Sequence, residues 1–448
     1  MAHGSTRATF KDKKSYHQVD NHGLSETSVA SDHVPNDLLI GCHECAAIYR
    51  QLPLPKHGIA ECRRCGAELY RHIPNFLNRT LALSIAALVL WIIANLFPYL
   101  SLKAGGLVAQ NFLAAAAWSL FQHDMGELGL VVLLTSIAFP FLVIIGLIYL
   151  LLPVAFGYAP WQAARVYQLV KVLQPWSLVG VFMLGTLIAI VKLEDLANVI
   201  PGLSLYALTA LLLVYSFANA SFNSQAYWQL ISNYRVTVAD LTASDQVLQC
   251  HICDALQPDP ARHSCGRCGL PVHYRTENSV QQSWALVAAA TLMLIPANIY
   301  PVMTVKKLGK GGPDTIISGI TNLLENGLYG LGLIVLFASI IVPFTKLIAL
   351  SYLLYSVQSG SNWRPRDRTL LYRVTEIIGA WSMVDVFLVG LLAGLVNLGL
   401  LASVTPGIGA TFFGAAVILT MLAAQRFDPR LIWDTTDEHY LDMEYAHE

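Results

Sequence analysis

Eight stretches of this chain, each of roughly 20 residues or more and nearly free of charge, restrict its fold more than any other feature. They fall at about 80–102, 128–156, 175–193, 200–222, 283–303, 328–357, 377–403 and 406–426. About 20 apolar residues carry a helix across about 30 Å of hydrocarbon. Inside that hydrocarbon the backbone must satisfy its own hydrogen bonds, and runs of this length do so as helices. Only 13% of the 448 residues are charged and 55% are apolar, whereas an average soluble domain is about 25% charged. The pattern predicts an all-α polytopic membrane protein with eight transmembrane helices. Two of the joins are very short, and they lead into Pro201-Gly202 and Pro406-Gly407; proline suits the first turn of a new helix. A net charge of −1 offers no basic field for nucleic acid.

Lysine and arginine predict the orientation. Arg165, Lys171, the 223–282 segment with Arg235, Arg262, Arg267 and Arg275, and the cluster Arg364, Arg366, Arg368 and Arg373 fall on one side. Lys103, Lys192, Lys306, Lys307 and Lys310 fall on the other. The positive-inside bias then puts both termini in the cytoplasm. Residues 1–37 are polar and lack the apolar core of a secretory leader, so they are expected to be a disordered cytoplasmic tail. The acidic stretch 434–448 is expected to be solvated.

The chain repeats itself. The segment ANLFPYL at 94–100 aligns with ANIYPVM at 297–303, and Pro140-Phe141 aligns with Pro343-Phe344, both at an offset of 203. WSLVGVFMLG at 176–185 aligns with WSMVDVFLVG at 381–390, and SFN at 221–223 with RFD at 426–428, both at 205. Four spans per copy is an even number, so the copies point the same way and are parallel repeats. Asn95-x-x-Pro98 and Asn298-x-x-Pro301 place a proline and an amide near the end of the first span of each copy, as a helix stop or as a kink.

All eight cysteines lie in four Cys-x-x-Cys pairs: Cys42/Cys45 with Cys62/Cys65, and Cys250/Cys253 with Cys265/Cys268. Four thiolates in two close pairs make a tetrahedral all-sulfur set suited to Zn²⁺. Gly66 and Gly269 directly follow the second pairs, as in the knuckles of a zinc ribbon. Such closed sites are structural. The competing readings are iron in a rubredoxin-like site, which the spacing also permits, and redox-active dithiols. His43 and His251 are read as surface residues or partners of a ligand. The predicted order is a tail at 1–37, zinc ribbon 1 at 38–74, a four-helix module at 75–225, a linker with zinc ribbon 2 at 226–278, a second four-helix module at 279–427 and a tail at 428–448.

Two ionisable residues lie inside spans: Lys346 in the sixth and Asp385 in the seventh. Each stands about 10 residues, or about 15 Å, from the cytoplasmic end of its span. Such residues usually face the bundle interior and pair, so a Lys346–Asp385 contact is expected. Ser339, seven residues before the lysine, and Thr420 in the last span extend this to a polar ladder. The first copy has Val143 and Gly180 at the charged positions and Ser136 at the serine. The second copy is therefore expected to carry ion or proton chemistry. The alternative is a structural ion pair that holds two helices in register.

These residues together, a duplicated four-cysteine module with four spans and Asn-x-x-Pro and Trp-Ser in each copy, resemble the paraquat-inducible protein A family of Gram-negative inner-membrane proteins, and within it the LetA-type branch. The resemblance covers about residues 38–430. It implies a periplasmic MCE-domain partner that forms a hydrophobic tunnel, and movement of phospholipids between the inner and outer membranes. It implies the eight cysteines as zinc ligands and Ser339, Lys346, Asp385 and Thr420 as the working polar network. It also implies tetraspanin-like modules with short strands in the outer loops near 103–127 and 304–327. The chain has no G-x-x-x-x-G-K-[ST] loop, so active transport would draw on an ion gradient or an outside energy source. No paired acid and base and no nucleophile context suggest an enzyme. The alternatives are a non-transporting anchor for the tunnel and a redox membrane protein that uses the cysteine pairs.

Overall fold

The computed structural model describes residues 7–9, 38–104, 107–194, 198–237, 247–258, 263–307, 312–325, 327, 329–395 and 402–435. The expected N-terminal tail, apart from 7–9, and residues 436–448 of the acidic tail lie outside the described residues. The chain divides into two compact units. One comprises Met1–Phe76 and Asn223–Arg275, the other Leu77–Phe222 and Thr276–Glu448. The two cysteine modules, separate segments in sequence, thus belong to one unit, and the two helix quartets to the other.

In the cysteine-bearing unit, strand Leu39–Gly41 pairs antiparallel with Ile48–Arg50, and Ile59–Glu61 with Glu68–Arg71. The second module has the shorter hairpin Leu248–Gln249/Leu256–Gln257. The modules touch directly: Gln249 Nε2 donates to the carbonyl of Gly41 at 3.0 Å. Helix Ser224–Ile231 is capped by Asn223, whose Oδ1 accepts from the Ala226 N–H while its Nδ2 donates to the Arg71 carbonyl.

Among the described residues the second unit holds eight helices long and apolar enough to cross a membrane. We number them α1 (Phe76–Leu96), α2 (Gly126–Ala155), α3 (Ala163–Val191), α4 (Leu203–Ser221), α5 (Ser279–Ile299), α6 (Gly332–Gln358), α7 (Pro365–Gly394) and α8 (Ile408–Arg426). α7 is the most enclosed and α1 the least. Each quartet repeats the same irregularities. A π-helical turn widens α2 at Leu134–Ala138 and α6 at Phe337–Ile341. The cause lies in the sequence: a proline ring clashes with the carbonyl four residues back, and Pro140 and Pro343 stand four residues after Ser136 and Ser339. α3 and α7 each contain a 3-10 turn at the Trp-Ser motif, Gln174–Trp176 and Ala380–Met383. The helices leading into these turns, Ala163–Leu173 and Pro365–Gly379, are amphipathic, so a hydropathy reading begins the spans late, at 175 and 377.

Three-stranded antiparallel sheets cap one end of the quartets. Leu100–Ala104 pairs with Leu107–Asn111 and with Asn198–Pro201. Met303–Lys307 pairs with Pro313–Asp314 and with Ala402–Pro406. The third strand of each sheet comes from the join that sequence reading treats as a short turn. Here the two sequence motifs meet. The Gly407 N–H donates to the carbonyl of Val302, and that of Gly202 to Tyr99. A Cβ on Gly407 would lie 2.3 Å from the Pro301 oxygen, so only glycine allows this close approach. Asn95 and Asn298 donate to the carbonyls of Trp91 and Leu294, one turn back, and Pro98 and Pro301 lie beyond the helix ends. The motif is therefore a helix stop.

At the opposite end, Asp428 ties the last helix to the first of its quartet. It accepts from the Thr276 N–H and forms a buried 2.9 Å ion pair with Arg430. Arg430 holds the Asp428 carboxyl below its ordinary range against the opposing effect of burial. The quartets meet through α3 and α7, where Phe182 and Phe387 make an edge-on contact with ring centroids 5.4 Å apart. We predict that Gly407→Ala destabilises the protein by roughly 1–3 kcal/mol, the usual cost of overpacking. The check is the thermal midpoint in detergent; an unchanged midpoint would refute the close approach.

Candidate functional site

Four backbone turns of one design present the cysteines. In each, the N–H of the fourth residue after the first cysteine returns to that cysteine's carbonyl: Ala46 to Cys42, Gly66 to Cys62, Asp254 to Cys250 and Gly269 to Cys265. All four returning residues have positive φ, between 57° and 76°. Glycine accepts this conformation freely, which explains Gly66 and Gly269, while Ala46 and Asp254 adopt it without that freedom. The turns bring Cys42, Cys45, Cys62 and Cys65 into one cluster and Cys250, Cys253, Cys265 and Cys268 into another, with the sulfurs of each within 4.8 Å of one another.

The donor set fits a tetrahedral ion. The Cys42–Cys65, Cys45–Cys62, Cys250–Cys268 and Cys253–Cys265 sulfur pairs are 3.4, 3.5, 3.7 and 3.5 Å apart. Metal–sulfur bonds of about 2.3 Å in a tetrahedron require sulfurs about 3.8 Å apart, and a disulfide about 2.05 Å. The clusters are thus arranged to hold a metal and are not disulfide-bonded. Crowding splits the thiols: hydrogen bonds from Cys42 and Cys45 hold Cys62 below the ordinary thiol range, and those with Cys42 and Cys62 push Cys45 above it. Tyr49 Oη lies 3.2 Å from Cys62 Sγ, and Gln257 Nε2 and the Arg267 N–H donate to Cys265 Sγ. His43 is exposed at the rim and 3.8 Å from Glu44.

The intramembrane residues of the second quartet separate into two places. Ser339, on the π-helical turn of α6, and Asp385, just past the 3-10 turn of α7, line one cavity of about 40 Å³. It is large enough to admit water, which needs about 10–15 Å³. Asp314, the last residue of a sheet strand, and the adjoining Thr315 also line it. Ser339 Oγ is buried and makes no hydrogen bond among the described residues. Its counterpart Ser136 donates to the Val132 carbonyl at 2.6 Å.

Lys346 lies elsewhere. It is only 4% exposed, and its Nζ has no hydrogen-bond partner among the described residues. The ammonium rests against Gly379, where a Cβ would come within 2.5 Å of it. The direct Lys346–Asp385 contact expected from depth is therefore not formed. Gly379 precedes Asp385 by six residues, about 9 Å along a helix, and the lysine fills the glycine slot while the aspartate faces the cavity. The carboxylate whose charge bears on Lys346 is Glu376. Thr420 is buried and donates to the Val417 carbonyl of its own helix.

Glu376 escapes a sequence reading because the hydropathy span begins at residue 377, and Gly379 lies inside that span with no charge or motif to mark it. The repeat held the signal. At the offset of 205, Gln174 stands opposite Gly379 and Lys171 opposite Glu376. The lysine, its glycine slot and the nearby carboxylate thus occur together in the second quartet and are all replaced in the first. Arg368 also differs from expectation: it is buried, donating to the Ser361 carbonyl and Ser356 Oγ.

The fold and sites define a duplicated polytopic membrane protein with a four-cysteine metal-type cluster in each repeat. The family model described as Paraquat-inducible protein A matches residues 77–232 and 280–437, and the chain belongs to that family. It is 32% identical over 410 residues to "Intermembrane transport protein PqiA" of Escherichia coli K12, covering 89% of this chain and 96% of the relative. It is 30% identical over 393 residues to "Lipophilic envelope-spanning tunnel protein A" of the same strain, covering 88% and 90%. It is 28% identical over 410 residues to "Probable intermembrane transport protein" of Haemophilus influenzae, covering 89% and 96%. Identities of 32% and 30% do not separate the two E. coli branches. No solved structure gives a significant match.

The purified chain should carry two metal ions, one for each cluster, and Cys62→Ser should carry one. Elemental analysis reads this directly. Metal-free protein, or an unchanged content in the variant, would contradict the assignment.

Proposed function

We propose that this chain is the inner-membrane component of a lipid transport system that moves phospholipids between the inner and outer membranes of a Gram-negative cell, together with a periplasmic MCE-domain tunnel protein. The relatives' names, intermembrane transport protein and envelope-spanning tunnel protein, support this reading. Both termini and both cysteine modules face the cytoplasm in this proposal, as the lysine and arginine bias suggests. The modules hold zinc and act as structural staples: binding the ion supplies folding free energy that so small a unit cannot draw from its core.

The observation that carries the mechanism is the pair of buried ionisable groups confined to one of two otherwise matching quartets. A charged side chain at the bilayer centre costs about 2.5–3.5 kcal/mol or more. The first quartet keeps the same frame with Val143 and Gly180 at these positions, so the frame does not need the charges. We assign Asp385 and Ser339 to a proton-accessible cavity, and Lys346 to the next station inward. Protonation changes at these groups would bias the α6–α7 contact and so couple an ion gradient to lipid movement. Thr420 is assigned a packing and polar-lining role on α8.

The test is complementation of a strain lacking this protein by Asp385→Asn and by Lys346→Met. Each variant should reach wild-type abundance in the membrane and lose most transport-dependent growth. Full complementation by both would sink the coupling reading and leave a non-transporting anchor.

A further inference from the structure

A second site lies on the outer flank of the same quartet. α5 and α6 enclose a groove of about 490 Å³, lined by Leu294, Ile295, Phe344, Leu347 and Ile348 with Thr291, Asn298 and Ser351 among them. This volume lies in the usual range of ligand pockets, about 300–1,000 Å³. The matching place in the first quartet carries a tryptophan. Trp91 lies tilted against Phe141 with ring centroids 4.5 Å apart, and its Nε1 donates to the carbonyl of Ile137 at 3.2 Å.

The repeat explains the difference. At the offset of 203, Leu294 replaces Trp91, Thr291 replaces Leu88 and Ser351 replaces Ile148, while Phe344 and Asn298 keep the Phe141 and Asn95 of the first copy. Three larger apolar side chains have become smaller or polar, and the tryptophan is lost. Thr291 and Asn298 donate to the carbonyls of Val287 and Leu294 on their own helix, so these two donors are already engaged, and most of the remaining lining is apolar. α5 and α6 are both membrane-crossing in length and composition, so the groove lies at hydrocarbon depth. What the bilayer supplies there is an acyl chain.

We propose that the α5–α6 groove binds one acyl chain of a phospholipid, and that Trp91 closes the equivalent groove of the first quartet. This holds whether or not the chain is a transporter, because it concerns binding alone. The test uses the full-length protein in nanodiscs of phosphatidylethanolamine and phosphatidylglycerol, doped with a phosphatidylethanolamine that carries a diazirine in its acyl chain. After photolysis, peptides from α5 and α6 should be labelled several-fold above those from α1 and α2. Leu294→Trp should bring that labelling down to the α1–α2 level, and Trp91→Leu should raise α1–α2 labelling toward the α5–α6 level. Ser351→Ile, which restores the residue type of the first quartet, provides a milder block should the tryptophan variant misfold. Equal labelling of both helix pairs in the parent protein would show bulk lipid only and overturn the proposal. So would labelling that neither blocking variant reduces in folded protein.

Discussion

The structure depends on a rule of solvent: in hydrocarbon, every backbone N–H and C=O must find its partner within the protein. Each quartet breaks its helices at the same few points. Pro140 and Pro343 disrupt the ladder and produce π-helical turns at Leu134–Ala138 and Phe337–Ile341. In the first quartet the Thr135 carbonyl on that turn accepts the Leu178 N–H at 3.1 Å, which ties α2 to the start of the apolar part of α3. π-helical turns often mark functional sites. In the second quartet the corresponding turn aims Ser339 into a cavity shared with Asp385.

Duplication makes the chain its own control. Both copies keep the glycine that lets the last helix start against the exit of the first, the sheet at that end and the aromatic pair that closes the other: Tyr167 with Phe222, and Tyr372 with Phe427. What differs is confined to positions with chemical or steric consequences. Val143, Gln174, Lys171 and Gly180 stand against Lys346, Gly379, Glu376 and Asp385, and Trp91 against Leu294. Neutral drift has no reason to bring a buried lysine, the glycine that makes room for it and a nearby carboxylate into the same copy. One quartet serves as frame and the other carries the added polar and open features.

Much of this was legible in the sequence, for physical reasons. Span length and lack of charge reveal helices directly, so all eight were anticipated, and four turns with Cys-x-x-Cys at matched spacing leave few geometries besides a four-sulfur cluster. The third sheet strands, Asn198–Pro201 and Ala402–Pro406, were missed because a strand of four or five residues next to an apolar helix has no period of its own. The lead helices of α3 and α7 were missed because a charged face lowers their hydropathy, and Glu376 was lost with them. The expected lysine–aspartate contact failed because depth along a helix fixes height and says little about which way a side chain turns. Gly379 decides that direction.

The central claim is that the ionisable groups of the second quartet couple lipid movement to a proton gradient. The direct measurement is lipid transfer from proteoliposomes containing the chain and the proposed periplasmic partner to acceptor vesicles, with and without an imposed pH difference. The account predicts that transfer accelerates with the gradient and that a protonophore returns it to the ungated rate. Equal rates with and without the gradient would contradict it.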